Sequence, residues 1–319
     1  MKIYHSLEDF SRLNNAVVTS GTFDGVHVGH QKILHRLKEI AAKNCGETVV
    51  ITFWPHPQMV LHPENTSLKL LNTFEEKAEL LKAEGIQHLL RLAFTKEFSL
   101  ISSQEFIQKI IVETIGTKKL VIGYDHRFGH NREGSFEQLK INAPGYGFEV
   151  EEISRQDVDH ISVSSSKIRK ALEEADVQTA THLLGRPYSL TGQVVKGDKL
   201  GRVLGFPTAN IEVDSRYKLI PADGIYAVTV QHENIFYKGM LYIGLRPTVN
   251  GTQRVIEVNI FKFYKEIYGE TLSIFFHQLL RGDKKFNDLE ALRQQLELDK
   301  TETTKILETI TFATPHSTA

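Results

Sequence analysis

Ala16-Val17-Val18-Thr19-Ser20-Gly21-Thr22-Phe23-Asp24-Gly25-Val26-His27-Val28-Gly29-His30 leads from an apolar strand-like segment, Ala16–Thr19, through a glycine-rich turn into an amphipathic helical pattern, Gln31–Ala42. Gly21, Gly25 and Gly29 let the backbone come close to a ligand and adopt positive φ. The helix that begins here offers free N–H groups and the positive end of its dipole, which together suit a phosphate. His27 and His30 stand three residues apart at that helix start, so both imidazoles can face one ligand. There they would donate hydrogen bonds to charge that develops on a phosphate during transfer. Alone, a His-x-x-His pair more often belongs to an ordinary turn, and a zinc site is disfavoured by the lack of nearby cysteines.

Outward from this turn, short apolar runs alternate with helical patterns. Candidate strands are Ala16–Thr19, Thr48–Phe53, His88–Phe94, Lys119–Gly123 and Phe148–Ile153. Between them Gln31–Ala42, Phe74–Ala83, Ser103–Glu113 and Ser135–Ile141 read as amphipathic helices. That order predicts an α/β domain of Rossmann-like form, with a parallel sheet covered on both faces. Its ligand crevice is expected at the carboxyl ends of the strands. After a helical stretch, Lys167–Leu184, the character changes. Leu190–Val195, Ile225–Gln231, Phe236–Ile243, Val255–Phe263 and Thr271–Phe276 are rich in Val, Ile, Tyr and Phe and are punctuated by Gly, Pro and Asn, as in an antiparallel barrel. Two helical patterns follow, Leu289–Leu296 and Glu302–Thr311, and the tail Ala313–Ala319 is expected to be disordered. The domains are therefore expected to be 1–184 and 185–319.

Bulk properties narrow the class. The 319 residues suffice for two domains with ordinary cores. Charged residues at 24% and apolar ones at 41% fit a soluble globular protein. A formal net charge of -1 gives no basic field, so no nucleic-acid partner is expected. The single cysteine, Cys45, cannot form an internal disulfide, which fits a reducing cytoplasm, and it reads as a small buried hydrophobe. Met1–Phe10 lacks the apolar run of a signal peptide, and no segment approaches the roughly 20 apolar residues of a membrane span. A cytoplasmic protein with no membrane partner is expected, and the sequence is compatible with a homo-oligomer.

Further segments carry chemistry. Ile161-Ser162-Val163-Ser164-Ser165-Ser166-Lys167-Ile168-Arg169 places hydroxyls before a helix bearing cations, an arrangement able to hold phosphates, although a plain serine N-cap explains it equally. Val121–Gly134 carries Asp125, His126, Arg127, Phe128 and Arg132 on a loop after a strand end. In the second half, Lys196, Gly197 and Gly201 lie on a loop whose amides can wrap phosphates. Gly205-Phe206-Pro207-Thr208-Ala209-Asn210 follows, and if extended it turns Thr208 and Asn210 to one face, two oxygen ligands suited to Mg²⁺. Glu257, between Ile256 and Val258, reads as solvent-facing on an anonymous strand, yet near an ATP site it could take the proton of an attacking hydroxyl. Arg246 adds a cation on the loop Gly244–Gly251.

The string from Gly21 to His30 resembles the HxGH signature of the nucleotidyltransferase superfamily. Ile161–Arg169 looks like the Ile-Ser-Ser-Thr-x-Ile-Arg motif that closes the ATP site there, with Ser166 in place of the usual Thr. The loop 124–134 is similar to the flavin-side loop of bacterial FAD synthetases, with His126 replacing an aromatic, and Phe53-Trp54-Pro55-His56-Pro57 matches that family's Phe-x-Pro-His-Pro loop. Gly201–Asn210, Gly244–Val249, Glu257-Val258, Tyr268-Gly269 and Leu280-Arg281 closely resemble riboflavin kinase, with Leu245 where a smaller residue is common. The order of motifs resembles the prokaryotic bifunctional riboflavin kinase/FAD synthetase family over roughly residues 15 to 300. That resemblance implies FMN formation by a C-terminal barrel and FAD formation by the N-terminal domain, with ATP and Mg²⁺. It implies nucleotide contacts by Gly21, Phe23, Gly25, Ser164, Ser165, Ser166, Arg169, Lys196, Gly197, Gly201, Thr208 and Asn210, with Mg²⁺ at the last two. Flavin contacts would come from Pro57, Asp125, Arg127, Phe128, Arg132, Arg246 and Arg281, and catalysis from His27, His30 and Glu257. An RNA-acting synthetase is disfavoured by the neutral charge, and a non-enzymatic flavin-binding protein by the intact catalytic set.

Overall fold

The computed structural model describes residues 1–65, 67–123, 136–153, 163–197, 200–248, 251–308 and 310. Asp125, Arg127, Phe128 and Arg132, and the tail Ala313–Ala319, lie outside the described residues. The chain divides into two compact units, Met1–Ser165 and Ser166–Ala319.

In the first unit six parallel strands form one sheet: β1 (Lys2–Tyr4), β2 (Ala16–Ser20), β3 (Glu47–Trp54), β4 (His88–Ala93), β5 (Thr117–Gly123) and β6 (Glu149–Ile153). Their order is β1-β4-β3-β2-β5-β6. The chain thus leaves β2 towards β3 and later returns to its other side at β5, which makes the end of β2 the switch point where a crevice opens. Strand alternation sorts the core into two layers. Val18, Val49, Ile51, Leu120 and Ile122 pack with Phe106, Ile110 and Phe148 on one face. Val17, Val50, Leu89 and Val121 pack on the other with Leu34 and Leu37 of the helix Val28–Lys43 and with Ala78 and Leu81 of Phe74–Ala83.

Several expectations change in detail. The pattern Ser103–Glu113 is a short α-turn, Ser103–Glu105, that widens into a π-helix, Phe106–Ile115. Its buried residues, Phe106, Ile107, Ile110, Ile111 and Ile115, recur at four and five positions and so suit the wider i→i+5 turn. Cys45 is exposed, because it falls in the tight turn after the helix Val28–Lys43, with φ 49. Edge strand β1 escapes the sequence pattern because three residues carry no period.

The second unit is a closed antiparallel barrel of β7 (Tyr188–Val195), β8 (Ala209–Glu212), β9 (Gly224–His232), β10 (Ile235–Thr248), β11 (Gly251–Ile260) and β12 (Thr271–Arg281), in the order β10-β11-β8-β7-β12-β9. Helices Ser165–Glu173 and Val177–Leu184 precede it, and the Ala222 N–H donates to the carbonyl of Leu172 at 3.0 Å. The two expected C-terminal helices are one, Leu289–Glu308. The segment between them looked like a break because Asp299 interrupts the apolar pattern, but Asp299 is buried against Arg281, whose Nη2 lies 2.8 Å from its carboxylate.

His277 sits where β12 slips register against β9, at a β-bulge that re-aims its side chain. Its Nε2 is hydrogen-bonded to Thr229 Oγ1 at 2.9 Å, and burial pushes its pKa down to about 4. The unfolded chain takes up that proton near the ordinary value of 6.5, so the stabilisation from a neutral His277 is complete above 6.5 and drains away as pH falls towards 4. The urea midpoint of the barrel transition, followed by far-UV circular dichroism, is expected to drop from pH 6.5 to 5. In His277→Gln that component should vanish, and an equal drop in both proteins would contradict the assignment.

Candidate active sites

At the carboxyl end of β2 the N–H of Gly21 donates to the carbonyl of Ile51 at 3.0 Å, tying the loop to β3. The backbone then bends through three positive φ values, at Phe23 (47°), Gly25 (86°) and Val26 (37°). For Phe23 and Val26 this is costly, the kind of local strain that functional loops retain. The loop is paid for by anchors. Asp24, buried, accepts the N–H of Leu71 at 3.0 Å and of Asn72 at 3.3 Å. The Gln31 amide donates to the Val26 carbonyl at 2.9 Å.

His27 caps the helix Val28–Lys43, and its Nδ1 accepts the N–H of His30 at 3.4 Å. A neutral His27 bonded this way carries its proton on Nε2. The two imidazoles stack at 3.6 Å between centroids and 14° between planes, and Phe23 lies 5.0 Å from the His30 ring. A Cβ on Gly29 would meet Val163 Cγ1 at 3.0 Å and the His27 ring at 3.3 Å, so any side chain here would have to displace these groups by a few tenths of an ångström. Ser165 Oγ donates to the carbonyl of Asp24 at 2.9 Å, which joins the serine-rich segment to the loop. Ser164 is half-buried beside it. Ser166 is exposed and Arg169 half-buried on the helix Ser165–Glu173, which belongs to the second unit. Pro57 opens the short helix Pro57–Leu61, capped by His56.

In the barrel, register puts Glu257 of β11 directly opposite Asn210 of β8 and Tyr242 of β10. Its side chain is only 13% exposed, unlike the solvent-facing position a lone strand carboxylate suggests. Thr208 Oγ1 donates to Glu257 Oε2 at 3.3 Å, and Arg246 Nη2 pairs with Glu257 Oε1. Gly197 follows β7 where an added Cβ would collide with the Asn210 amide, so the loop can lie directly on that side chain. Lys196 is exposed on the same loop, and Gly201 lies in the short helix Leu200–Val203. Tyr242 donates to Asp283 at 3.3 Å, and burial, with Asp283, pushes its pKa up to about 12. Arg281 forks onto Asp299, with Nε at 3.0 Å from Oδ1 and Nη2 at 2.8 Å from Oδ2, so β12 is fastened to the terminal helix.

His27, His30, Phe23 and the glycines therefore lie in one cluster, and Thr208, Asn210, Gly197, Arg246 and Glu257 in another. Sequence reasoning passed over Asp24, Asp299 and Lys77. Lys77 had a usable signal: Phe74, Lys77, Ala78 and Leu81 follow i, i+3, i+4, i+7, which puts the lysine on the apolar stripe. Among the described residues no group of three or more His, Cys, Asp or Glu is placed to hold a metal.

Comparison with known proteins agrees with this division. The FAD synthetase family profile matches residues 9–167 and the riboflavin kinase profile residues 184–307. A bifunctional riboflavin kinase/FMN adenylyltransferase from Listeria monocytogenes is 40% identical over 91% of this chain and 91% of its own length, and one from Bacillus subtilis is 36% identical over 90% and 91%. A solved structure described as a macrolide-efflux protein from Streptococcus pneumoniae superposes with a TM-score of 0.85 at 31% identity, covering 95% of this chain and 98% of that one. The efflux description stays with that protein; among the described residues no helix here is long and apolar enough to cross a membrane. With two catalytic folds in this order and relatives matched along nearly their full length, the chain belongs to the bifunctional riboflavin kinase/FMN adenylyltransferase family and carries both activities.

Proposed function

We propose that the two reactions run at the two clusters just described, each with its own chemistry. In the barrel, the ribityl 5′-hydroxyl of riboflavin attacks the γ-phosphorus of ATP, giving FMN and ADP. Glu257 takes the hydroxyl proton. The observation that carries this reading is a shielded carboxylate beside Thr208 and opposite Asn210, oriented by Arg246. Thr208 and Asn210 offer hard oxygen donors of the type Mg²⁺ takes alongside substrate phosphates, and they would hold it. When bound, Mg²⁺ offsets charge on the transferring phosphoryl group. Lys196, Gly197 and Gly201 border the phosphates, and Arg246 and Arg281 belong to the flavin side.

In the N-terminal site, the FMN phosphate attacks the α-phosphorus of a second ATP and pyrophosphate leaves. The attacking oxygen is already ionised, so positioning and charge stabilisation do the work. His27, His30 and the Phe23 amide would bind the triphosphate, with Gly21 and Gly25 letting the backbone approach it and Ser164 and Ser165 beside the nucleotide. Pro57, Asp125, Arg127, Phe128 and Arg132 would receive the flavin. We draw the functional boundary at Leu184, because Ser166 and Arg169 go by motif with adenylylation. The free, exposed Cys45 is compatible with work in the cytoplasm.

Glu257→Gln is expected to cut FMN formation by about 10²-fold or more, while FAD formation from supplied FMN stays at the parent rate. Equal loss of both would contradict two separate sites. His30→Ala should show the converse, with adenylylation down about 10²–10³-fold, the usual worth of one such donor. Product chromatography reads both, and adenylylation within about threefold of the parent would remove His30 from that role.

A further inference from the structure

Lys77 is 3% exposed, and the two reactions as described make no use of it. Its Nζ donates to the carbonyl of Thr22 at 2.7 Å and to Thr52 Oγ1 at 3.3 Å, and Thr52 Oγ1 itself donates to the same carbonyl at 3.3 Å. Thr22 lies between Gly21 and Phe23, at the centre of the loop assigned to the triphosphate. Removing an ammonium group from water is costly, and an apolar side chain of similar volume would fill this place without that penalty. Asp24 is the charged group of the loop that acts on Lys77, and it favours the ammonium form. From β3 come the neutral Thr52 and Trp54, with the Trp54 ring 5.8 Å from Nζ. On its own helix Glu76 accepts the N–H of Thr73 at 3.0 Å, and His5 and Arg91 lie against Phe74.

We propose that Lys77 is a positioning residue for adenylyl transfer, whose ammonium group fixes and polarises the Thr22–Phe23 peptide so that the Phe23 N–H is a stronger donor to the phosphates of ATP. This peptide is trans, so its carbonyl, turned to Lys77, directs the Phe23 N–H the opposite way. Hydrogen bonds linked through one peptide reinforce one another. The anchor also supports Phe23 at its unfavourable φ of 47°. The inference rests on the reading of this loop as the triphosphate site.

Burial pulls the Lys77 pKa down to about 8, against the opposing attraction of Asp24. The charged form therefore prevails below pH 8 and is lost above it. Stability moves the other way. An unfolded lysine keeps its proton up to about 10.5 and the folded one only to about 8, so folding gains as pH rises between those values. A lysine that only supports the fold gives no fall in rate where stability rises.

The test measures kcat/KM for ATP in FAD formation by the full-length protein from pH 7 to 9.5, with riboflavin phosphorylation by the same protein as control and thermal midpoints alongside. The expected result is a fall in FAD formation of about five- to thirtyfold, the worth of one charge-assisted hydrogen bond, with no matching fall in phosphorylation and no loss of thermal stability. Lys77→Met is expected to be slow at pH 7 and level across the range. A level profile in the parent, or an alkaline fall retained in Lys77→Met, would overturn the proposal. If Lys77→Met fails to fold, the parent's opposed rate and stability profiles decide alone. No FAD from FMN at any pH would instead overturn the assignment of the loop.

Discussion

Asp24 receives two backbone N–H groups at its carboxylate, from Leu71 and Asn72, and the Ser165 hydroxyl at its carbonyl. One buried acidic residue thus ties the phosphate loop to two segments that are distant in sequence. A carboxylate out of water is tolerated only when its charge is answered, and here backbone dipoles and the field of Lys77 answer it. The strained backbone at Phe23 and Val26 depends on this fastening, and so does the placing of His27 and His30 at the helix start. The sheet supplies the rest: β2 lies between β3 and β5, so the loop emerges where neighbouring crossovers diverge.

The barrel meets a different demand by different means. On the proposed mechanism its attacking group is a neutral hydroxyl, which must lose a proton, so a carboxylate is needed beside the phosphates. Antiparallel register delivers it, because Glu257 and Asn210 are Cα partners on adjacent strands and their side chains share a face. Arg246 holds the carboxylate on one oxygen while Thr208 holds the other. On the same proposal the FMN phosphate attacks already ionised and needs no such base.

Most of this architecture was legible in the order of residues. The apolar runs and helical stripes located five of the six parallel strands to within two residues at either end, because buried strands and amphipathic helices leave strong patterns. The residues of each cluster stand largely in short motifs, since glycine turns and neighbouring side chains on one strand are local in sequence. What escaped was non-local or weakly patterned. A three-residue edge strand has no period, and the π-helical segment Phe106–Ile115 imitates an ordinary amphipathic helix. The Arg281–Asp299 fork joins residues in separate elements, so Asp299 looked like a break in a helix that it in fact anchors. Lys77 stood on its apolar stripe, but only the fold brings Thr22 and Thr52 to its ammonium group.

The central claim is that one chain holds two independent chemical sites joined by FMN. It is tested most directly by mixing Glu257→Gln with His30→Ala and supplying riboflavin, ATP and Mg²⁺, then following FAD by chromatography. Neither variant alone is expected to accumulate FAD, whereas the mixture is, because FMN made by one protein is adenylylated by the other. A mixture that forms no FAD, with each variant keeping its remaining activity, would contradict it.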